Sequence, residues 1–211
     1  MASTTDRKTW TPTDVVDVSG PAALLRNYRE QHDLRRFLES AAARGPIRRA
    51  CDVGCGFGRL VPVLAERAGS VVGFEREPSL VATARTLLPD ATIVQLDTLA
   101  VLPEADASFD FALTFTVLQH MPDADAERVI AEIRRVVAPG GSILIVEETD
   151  PALEAGDPAH ADLGYTRGRP VEWYAARLRP LTLQETRPRR IEPGYPRADV
   201  GTFMFFTSPD A

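Results

Sequence analysis

Three glycines alternate with larger residues in the stretch CDVGCGFGRL, residues 51–60, directly after a short apolar run. Glycine loses more backbone freedom on folding than any other residue, so its repetition indicates a loop that turns tightly or admits a ligand close to the backbone. The spacing of Gly54, Gly56 and Gly58 is GxGxG. It differs from the GxGxxG spacing that places a dinucleotide pyrophosphate at a helix N-terminus.

A carboxylate in the same stretch separates two kinds of cofactor. Asp52 lies near the end of the predicted strand. A carboxylate there would repel a pyrophosphate but would attract an ammonium group, directly or through water. A sulfonium amino acid linked to adenosine carries such an ammonium and no phosphate. Asp52 therefore favours S-adenosylmethionine over a nicotinamide dinucleotide as the cofactor.

Polar side chains also follow the next three predicted strands. Glu75 ends VVGFE, where a carboxylate can accept hydrogen bonds from both ribose hydroxyls, as it also would in a dinucleotide fold. Asp97 follows the third strand and could accept from an adenine amino group. Residues 114–119 would pass beneath the methionine part of the cofactor, and His120 would reach the reaction centre.

His120 is the candidate general base, because a hydroxyl acceptor must lose its proton as it attacks. Of the three histidines, His32, His120 and His160, it alone is predicted at the carboxyl end of a core strand beside the cofactor loop. The alternative is a histidine that packs or hydrogen-bonds near the site. His32, on the N-terminal helix, could line the acceptor pocket or be solvated.

The acidic stretch EETDP, residues 147–151, follows the fifth predicted strand. Glu147, Glu148 and Asp150 could orient acceptor hydroxyls or act as a base. They could also join His120 on a divalent metal, since hard oxygen ligands suit Mg²⁺. A solvated acidic loop is the alternative.

The stretch GYTRGRPVEWY supplies candidate acceptor-binding residues, namely Tyr165, Arg167, Arg169, Trp173 and Tyr174. Aromatic rings with arginines suit a sugar, a phenol or an anionic metabolite. Alternatively, Trp173 and Tyr174 form the buried face of a short helix, and we expect one in the core and the other at the pocket. Tyr28 and Trp10 have the same two interpretations.

Alternating strands and helices must position these residues. Residues 21–44 have helical spacing. Beyond them we predict strands at 47–53, 71–75, 91–96, 109–117 and 142–147, and helices at 59–68, 78–88 and 123–138. Runs such as VVGF and ILIV predict strands buried on both faces, as in a doubly wound α/β fold. A helix at 171–178 and two strands at 181–191 and 200–208 indicate an antiparallel pair at the end of the sheet.

The segments CDVGCGFGRL, VVGFEREP, IVQLD, FDFALTFTVLQHMPD and VVAPGGSILIVEE, in this order, resemble the class I S-adenosylmethionine-dependent methyltransferase family. The resemblance covers residues 50–148 and implies a Rossmann-like seven-stranded sheet of order 3-2-1-4-5-7-6 with strand 7 antiparallel. Glu75 departs from the more usual aspartate, and Glu77 and Phe57 also depart from the common pattern. The expected cofactor-binding residues are Asp52, Gly54, Cys55, Gly56, Gly58, Glu75, Arg76, Asp97, Thr98, Thr114, Phe115, Thr116 and Gln119.

Composition limits the classes of function. The 211 residues are 44% hydrophobic and carry a net charge of −6, which argues against nucleic acid as a partner. Lys8 is the only lysine, so we expect no catalytic lysine base and no lysine Schiff base. We see no signal peptide and no run long enough to span a membrane, and we expect a cytoplasmic protein.

We predict an N-terminal extension and cap helix over 1–45, followed by a methyltransferase domain over 46–211 with a lid-like insert at about 150–180. The predicted activity is methyl transfer to a small-molecule hydroxyl, on a sugar or secondary metabolite. The alternatives are a nicotinamide-dependent oxidoreductase and a cofactor-binding subunit without catalysis. A homodimer stays open.

Overall fold

A seven-stranded sheet organises the residues that the computed structural model describes, which are 9–15, 20–153, 165–189 and 201–209. Its order is β3-β2-β1-β4-β5-β7-β6, and β7 runs antiparallel to both of its neighbours. The predicted doubly wound α/β fold and its strand order are therefore confirmed. The strands are β1 Ile47–Val53, β2 Ala68–Glu75, β3 Thr92–Gln95, β4 Phe109–Phe115, β5 Val137–Glu148, β6 Thr182–Pro188 and β7 Gly201–Thr207.

Helices surround this sheet. The α-helices are α1 Pro12–Val15, α2 Pro21–Ala42, α3 Val61–Ala65, α4 Pro78–Leu87, α5 Asp123–Val136 and α6 Val171–Arg177, and a short 3₁₀ turn spans Leu118–His120. Proline opens both α2 and α4, where its missing N–H costs no intrahelical bond. No helix in the described ranges is long and apolar enough to cross a membrane.

Both faces of the central strands are buried, as the unbroken apolar runs predicted. In β5, Ile143 and Ile145 join a core cluster with α5 and α6, whereas Leu144 and Val146 join a cluster with α2 and α3. Successive side chains on a strand point to opposite faces, so one apolar run fills two cores. Helix α2 contributes Leu34, Phe37, Leu38 and Ala41 to the second core.

Two predicted helix ends differ from the structure, and a glycine explains each difference. Gly69 does not simply close α3 but lies in β2, where an added Cβ would meet the Arg48 carbonyl oxygen at 2.9 Å. Gly141 lies inside β5, which begins at Val137, and its Cβ would meet the Asp110 oxygen at 3.0 Å. In both places glycine permits close strand pairing.

The carboxyl ends of the five parallel strands β1 to β5 share one edge of the sheet. The glycine loop, Glu75, Asp97 and residues 116–120 all follow those ends. In open α/β sheets this edge is where ligands bind. The predicted lid at about 150–180 includes residues 154–164, which lie outside the described residues, as does His160.

Candidate active site

The glycine loop joins β1 to α3 in a conformation that needs glycine. Gly54, Gly56 and Gly58 have φ angles of 81°, 58° and 83°, which L side chains rarely adopt. An added Cβ at Gly54 would lie 2.5 Å from a Val117 side-chain carbon, and one at Gly58 would lie 2.6 Å from a Leu88 side-chain carbon. The loop backbone therefore lies directly against the turn after β4.

Glu75 holds this loop from the end of β2. Its carboxylate accepts the N–H groups of Gly56 at 2.8 Å, Arg76 at 2.7 Å and Glu77 at 2.8 Å. A carboxylate offers about four acceptor positions, so three bonds leave capacity for a ribose hydroxyl. The arrangement fits a nucleoside at this edge.

Asp52 lies next to the loop, almost fully buried. Burial raises the pKa of its carboxyl to about 7, the charge of Arg59 lowers it, and the charge of Glu75 raises it. A cation at this position would favour the ionised carboxylate. The surroundings of Asp52 therefore suit the ammonium group of an amino acid.

The other predicted cofactor residues divide between surface and core. Asp97 and Thr98 are exposed after β3, and the Thr98 Oγ1 accepts the Ala100 N–H at 3.1 Å. Arg76 is partly buried. Asp97 is thus accessible at the edge where an adenine would lie.

Three predicted cofactor residues are instead enclosed by the protein. Thr114 is fully buried within β4, and no partner for its Oγ1 occurs among the described residues. Phe115 belongs to the α2-side core, edge-on to Phe203 at 5.8 Å between ring centroids. Cys55 packs in a small cluster beneath α4, and burial raises the pKa of its thiol. The side chains of these three residues therefore face the protein interior.

The turn after β4 is strained and firmly held. Thr116 has a φ of 53°, rare for a β-branched residue, and its N–H donates to the Val146 carbonyl at 2.7 Å. Backbone strain of this kind gathers at functional sites. The carboxylate of Glu147 accepts the three following N–H groups, those of residues 117–119, at 2.9, 2.9 and 3.0 Å.

These bonds correct the interpretation of Glu147 as a metal ligand. Burial raises the pKa of Glu147 to about 7, while its bonds from Leu118, Val117 and Gln119 lower it. Its oxygens serve the turn. Over the described ranges, no group of three or more histidine, cysteine, aspartate or glutamate side chains could hold a metal ion. The described residues thus give the alternative of a Mg²⁺ site no support.

The hydrogen bonds of His120 indicate which tautomer its neutral ring would adopt. Gln119 Oε1 accepts the Glu148 N–H at 2.9 Å, which makes Gln119 Nε2 the donor toward His120 Nε2 at 3.3 Å. His120 Nδ1 lies 3.0 Å from the Tyr165 carbonyl oxygen and 3.2 Å from Thr166 Oγ1. This network assigns the proton to Nδ1 and the lone pair to Nε2.

A segment near the N-terminus also reaches the site. The Trp10 ring packs on His120 with 4.6 Å between centroids, and the Trp10 carbonyl accepts from Ser79 Oγ at 3.0 Å. Residues 9–15 therefore connect the start of α4 with the turn after β4. Sequence analysis left Trp10 ambiguous and missed Ser79 and Thr166, because no local pattern brings them to this edge.

Arg169 is a structural residue of this edge. Its buried guanidinium donates to the Asp123 carboxylate at 2.9 Å and to the carbonyls of Leu118 at 2.8 Å and Met121 at 2.5 Å. These bonds fix both ends of the 3₁₀ turn that carries His120. The observed contacts give Arg169 a positioning role, and its predicted acceptor-binding role stays a prediction.

The two aromatic residues of α6 have different surroundings. Trp173 has the guanidinium groups of Arg169 and Arg177 at 4.9 and 3.8 Å from its ring centroid, and it lines a cavity beside Arg169. Tyr174 is fully buried in the core, as one of the pair was expected to be.

A cavity of about 350 Å³ lies beside this region. Arg167 reaches it half exposed, with its guanidinium 3.4 Å from the Asp123 carboxylate. Because Arg167 lines this cavity, its predicted contact with the acceptor stays a prediction. The lining residues are Asp123, Pro151, Leu153, Arg167, Gly168, Arg169, Pro170 and Trp173.

The remaining candidates lie on α2 and at the end of β5. Tyr28 is 67% exposed and His32 is exposed, both on α2. Glu148 accepts the N–H of Thr149, and Asp150 accepts the N–H of Ala152. Each carboxylate thereby stabilises the turn that leaves β5.

The chain is similar in sequence to known methyltransferases. Residues 51–145 match the family described as methyltransferase domain. An uncharacterised methyltransferase of Synechocystis is 32% identical over 110 residues, which cover 52% of this chain and 51% of that protein. The trans-aconitate 2-methyltransferase of Variovorax paradoxus is 32% identical over 128 residues, covering 58% and 48%. The chain spans about half or less of the first curated relatives it matches.

Solved structures share the fold. The N-methyltransferase NodS from Bradyrhizobium japonicum, in complex with S-adenosyl-L-homocysteine, superposes with a TM-score of 0.67 at 18% identity. The superposition covers 91% of this chain and 94% of that one. At this identity the likeness concerns the fold alone.

Proposed function

We propose that this chain, which belongs to the class I S-adenosylmethionine-dependent methyltransferases, transfers the cofactor's methyl group to a hydroxyl of a small molecule, such as a sugar or secondary metabolite. The observation that carries the hydroxyl assignment is the hydrogen bonding of His120, in which Nδ1 faces the Tyr165 carbonyl and Nε2 is the acceptor nitrogen, a position in which an acceptor hydroxyl would replace Gln119 Nε2. The name of the Variovorax relative, which refers to trans-aconitate, supports a small-molecule acceptor.

The cofactor would lie across the carboxyl edge. The backbone of the glycine loop lies against the cofactor. Glu75 accepts hydrogen bonds from the ribose hydroxyls, and Asp97 accepts one from the adenine amino group. Asp52 pairs with the ammonium of the amino-acid part. Each role matches the chemistry of the side chain at its observed position.

The bound cofactor supplies a methyl carbon that its sulfonium activates. When bound, the cofactor would offer that carbon to the acceptor oxygen, with the carbon–sulfur electron pair returning to sulfur and S-adenosylhomocysteine as the leaving group. The hydroxyl proton passes to His120 Nε2. Alignment of the acceptor can supply about 7–11 kcal/mol, so the held turn is central to the rate.

The test uses S-adenosylmethionine with an isotope-labelled methyl, a fractionated small-molecule extract and mass spectrometry, with and without Mg²⁺. We expect a labelled small product from the wild type. In His120→Ala, turnover should fall about 10²–10⁴-fold, while S-adenosylhomocysteine affinity falls by no more than about 10-fold, the effect of losing the ring contact with Trp10. His32→Ala, a histidine exposed on α2, is the matched control and should keep full turnover.

Equal turnover in His120→Ala would remove this residue from the mechanism. No labelled product, despite tight S-adenosylhomocysteine binding by the same sample, would favour a cofactor-binding subunit without catalysis.

A further inference from the structure

Three arginines surround one buried carboxylate near the site, and we call Arg26, Arg59, Arg189 and Glu30 the arginine cluster. Glu30 Oε1 lies 2.9 Å from Arg189 Nε and 3.4 Å from Arg26 Nε. Glu30 Oε2 lies 3.0 Å from Arg59 Nη1. Burial by itself would raise the pKa of Glu30, but the charges of Arg189, Arg59 and Arg26 hold it below its usual value. Glu30 is therefore an ionised carboxylate.

The arginine cluster belongs to the same edge of the sheet as the cofactor loop. Arg59 directly follows Gly58, and its charge acts on Asp52. The guanidinium groups of Arg59 and Arg189 both lie over the ring of Phe115, at 5.1 and 5.8 Å from its centroid. Phe115 ends β4, immediately before the turn that carries His120.

Arg59 and Arg189 carry more positive charge than the described carboxyl groups beside them carry negative charge. Each has a side chain only 11% exposed and pairs with Glu30, which is 4% exposed. Arg59 also acts on Asp52, but burial raises the pKa of that carboxyl to about 7, so it is only partly ionised at neutral pH. Buried charges are normally paired, because an unpaired one loses its hydration without compensation. A further anion would complete the arginine cluster.

Donor groups for such an anion are also present. Within the described ranges, Arg189 donates to Glu30 through Nε. Arg59 uses Nη1 for both of its contacts, one with Glu30 and one with Asn27 Oδ1 at 2.7 Å. A guanidinium has five N–H donors in a planar fork that matches a carboxylate. Both side chains therefore retain donors in those ranges.

A neighbouring pair shows what a purely structural contact looks like here. Arg187 is bound by two carboxylates, those of Asp33 at 3.1 Å and Glu185 at 2.8 Å. It links α2 to β6 with no excess of positive charge. Around Glu30 the balance is the opposite, because three guanidinium groups lie within 3.4 Å of one carboxylate.

We propose that Arg59 and Arg189 of the arginine cluster bind a carboxylate of the methyl acceptor, so that the acceptor is a carboxylic acid. This inference rests on the proposed function and names its acceptor class. The methionine carboxylate of the cofactor has the same chemistry, so the experiment separates the two sources. Bidentate, charge-assisted bonds to arginine provide the affinity.

The acceptor arm uses calorimetry on the protein saturated with S-adenosylhomocysteine, with citrate as the probe and trimethyl citrate as its uncharged match. We expect citrate alone to bind. Arg189→Gln should weaken it about 10- to 100-fold, and Arg189→Lys less. Arg35→Gln, which removes an exposed arginine paired with Glu66, is the control and should bind as the wild type does.

Glu30→Gln separates binding from a structural role, because it removes the competing carboxylate. If the arginine cluster binds anions, this variant should bind citrate more tightly, by about threefold or more. Its melting temperature with S-adenosylhomocysteine verifies that it is folded. Unchanged or weaker citrate binding by the folded variant would contradict the proposal, as would failure of citrate to bind the wild type.

The cofactor arm compares S-adenosylhomocysteine with 5′-methylthioadenosine, which lacks the amino-acid part. The proposal expects the ratio of their affinities to be the same in Arg189→Gln and the wild type. A ratio that collapses in Arg189→Gln would assign the carboxylate to the cofactor and overturn the acceptor assignment. Neither arm requires turnover, so a failure here is distinct from a failure of the methyltransferase proposal.

Discussion

At the residue scale, buried carboxylates organise the backbone around the candidate site. Glu75 binds the glycine loop, and Glu147 binds the turn after β4. A buried carboxylate is costly unless it is hydrogen-bonded, so each of these side chains is committed to the loop it holds. Their positions determine where the backbone faces a ligand.

Glu75→Ala tests the ribose assignment. We expect it to weaken S-adenosylhomocysteine binding about 10- to 100-fold, because hydrogen bonds to a charged group contribute about 1.5–3 kcal/mol. Isothermal titration calorimetry gives the affinity. Glu77→Ala, in the same segment, is the matched control and should have a smaller effect.

A comparison of adenosine with 2′-deoxyadenosine separates ribose contact from loop collapse. The wild type should prefer adenosine, and Glu75→Ala should lose that preference. A preference that persists in the variant would mean that Glu75 acts only by holding Gly56 and not by binding the ribose.

The residue types at this edge were predictable, but their directions were not. Glu75 and Asp97 could be placed because the ends of parallel strands share one edge. Glu147 was equally well placed, yet its carboxylate points into backbone N–H groups. Thr114 and Phe115 are the last two residues of β4, directly before the turn that was predicted to face the cofactor. Sequence order alone could not show that both side chains are enclosed.

At the element scale, periodicity predicted the strands and the long helices, and tertiary contacts determined the rest. Helix α2 was predicted over 21–44 and spans Pro21–Ala42. Helix α3 is only Val61–Ala65, since β2 pairs with β1 from Ala68 onward. The placement of residues 9–15 over the site had no local signal at all.

Trp10→Ala tests whether residues 9–15 cover the bound cofactor. Loss of the ring removes the contact with His120, and aromatic contacts contribute about 0.5–1.5 kcal/mol. We expect S-adenosylhomocysteine to bind about 2- to 10-fold more weakly, mainly through faster dissociation, as measured by stopped-flow fluorescence. Trp173→Ala removes an equally large ring between two arginines and should leave the dissociation rate unchanged.

At the whole-molecule scale, the sheet gathers its unusual carboxyls on one side of a well-packed core. Asp52 is the next-to-last residue of β1 and Glu147 the next-to-last of β5, and these strands lie on opposite sides of β4. Burial raises the pKa of each to about 7. The folded protein therefore binds protons that the unfolded chain releases between about pH 4 and 7, and its stability is linked to pH.

The free energy of unfolding should fall as the pH rises through neutrality. Because the folded pKa exceeds the unfolded one, each carboxyl contributes stability at low pH that is lost as pH rises through about 7. Between pH 6 and 8 the free energy of unfolding should fall by about 1 kcal/mol per group. Asp52→Asn and Glu147→Gln should each flatten this slope relative to the wild type, as measured by urea unfolding at each pH.

The ammonium of bound S-adenosylhomocysteine favours ionised Asp52, so the ligand should stabilise the wild type more at pH 7.5 than at pH 6, and Asp52→Asn should lose that difference. Parallel pH profiles in the wild type and Asp52→Asn would show that Asp52 is already ionised in the folded protein, and the ammonium assignment would then lose its pH signature.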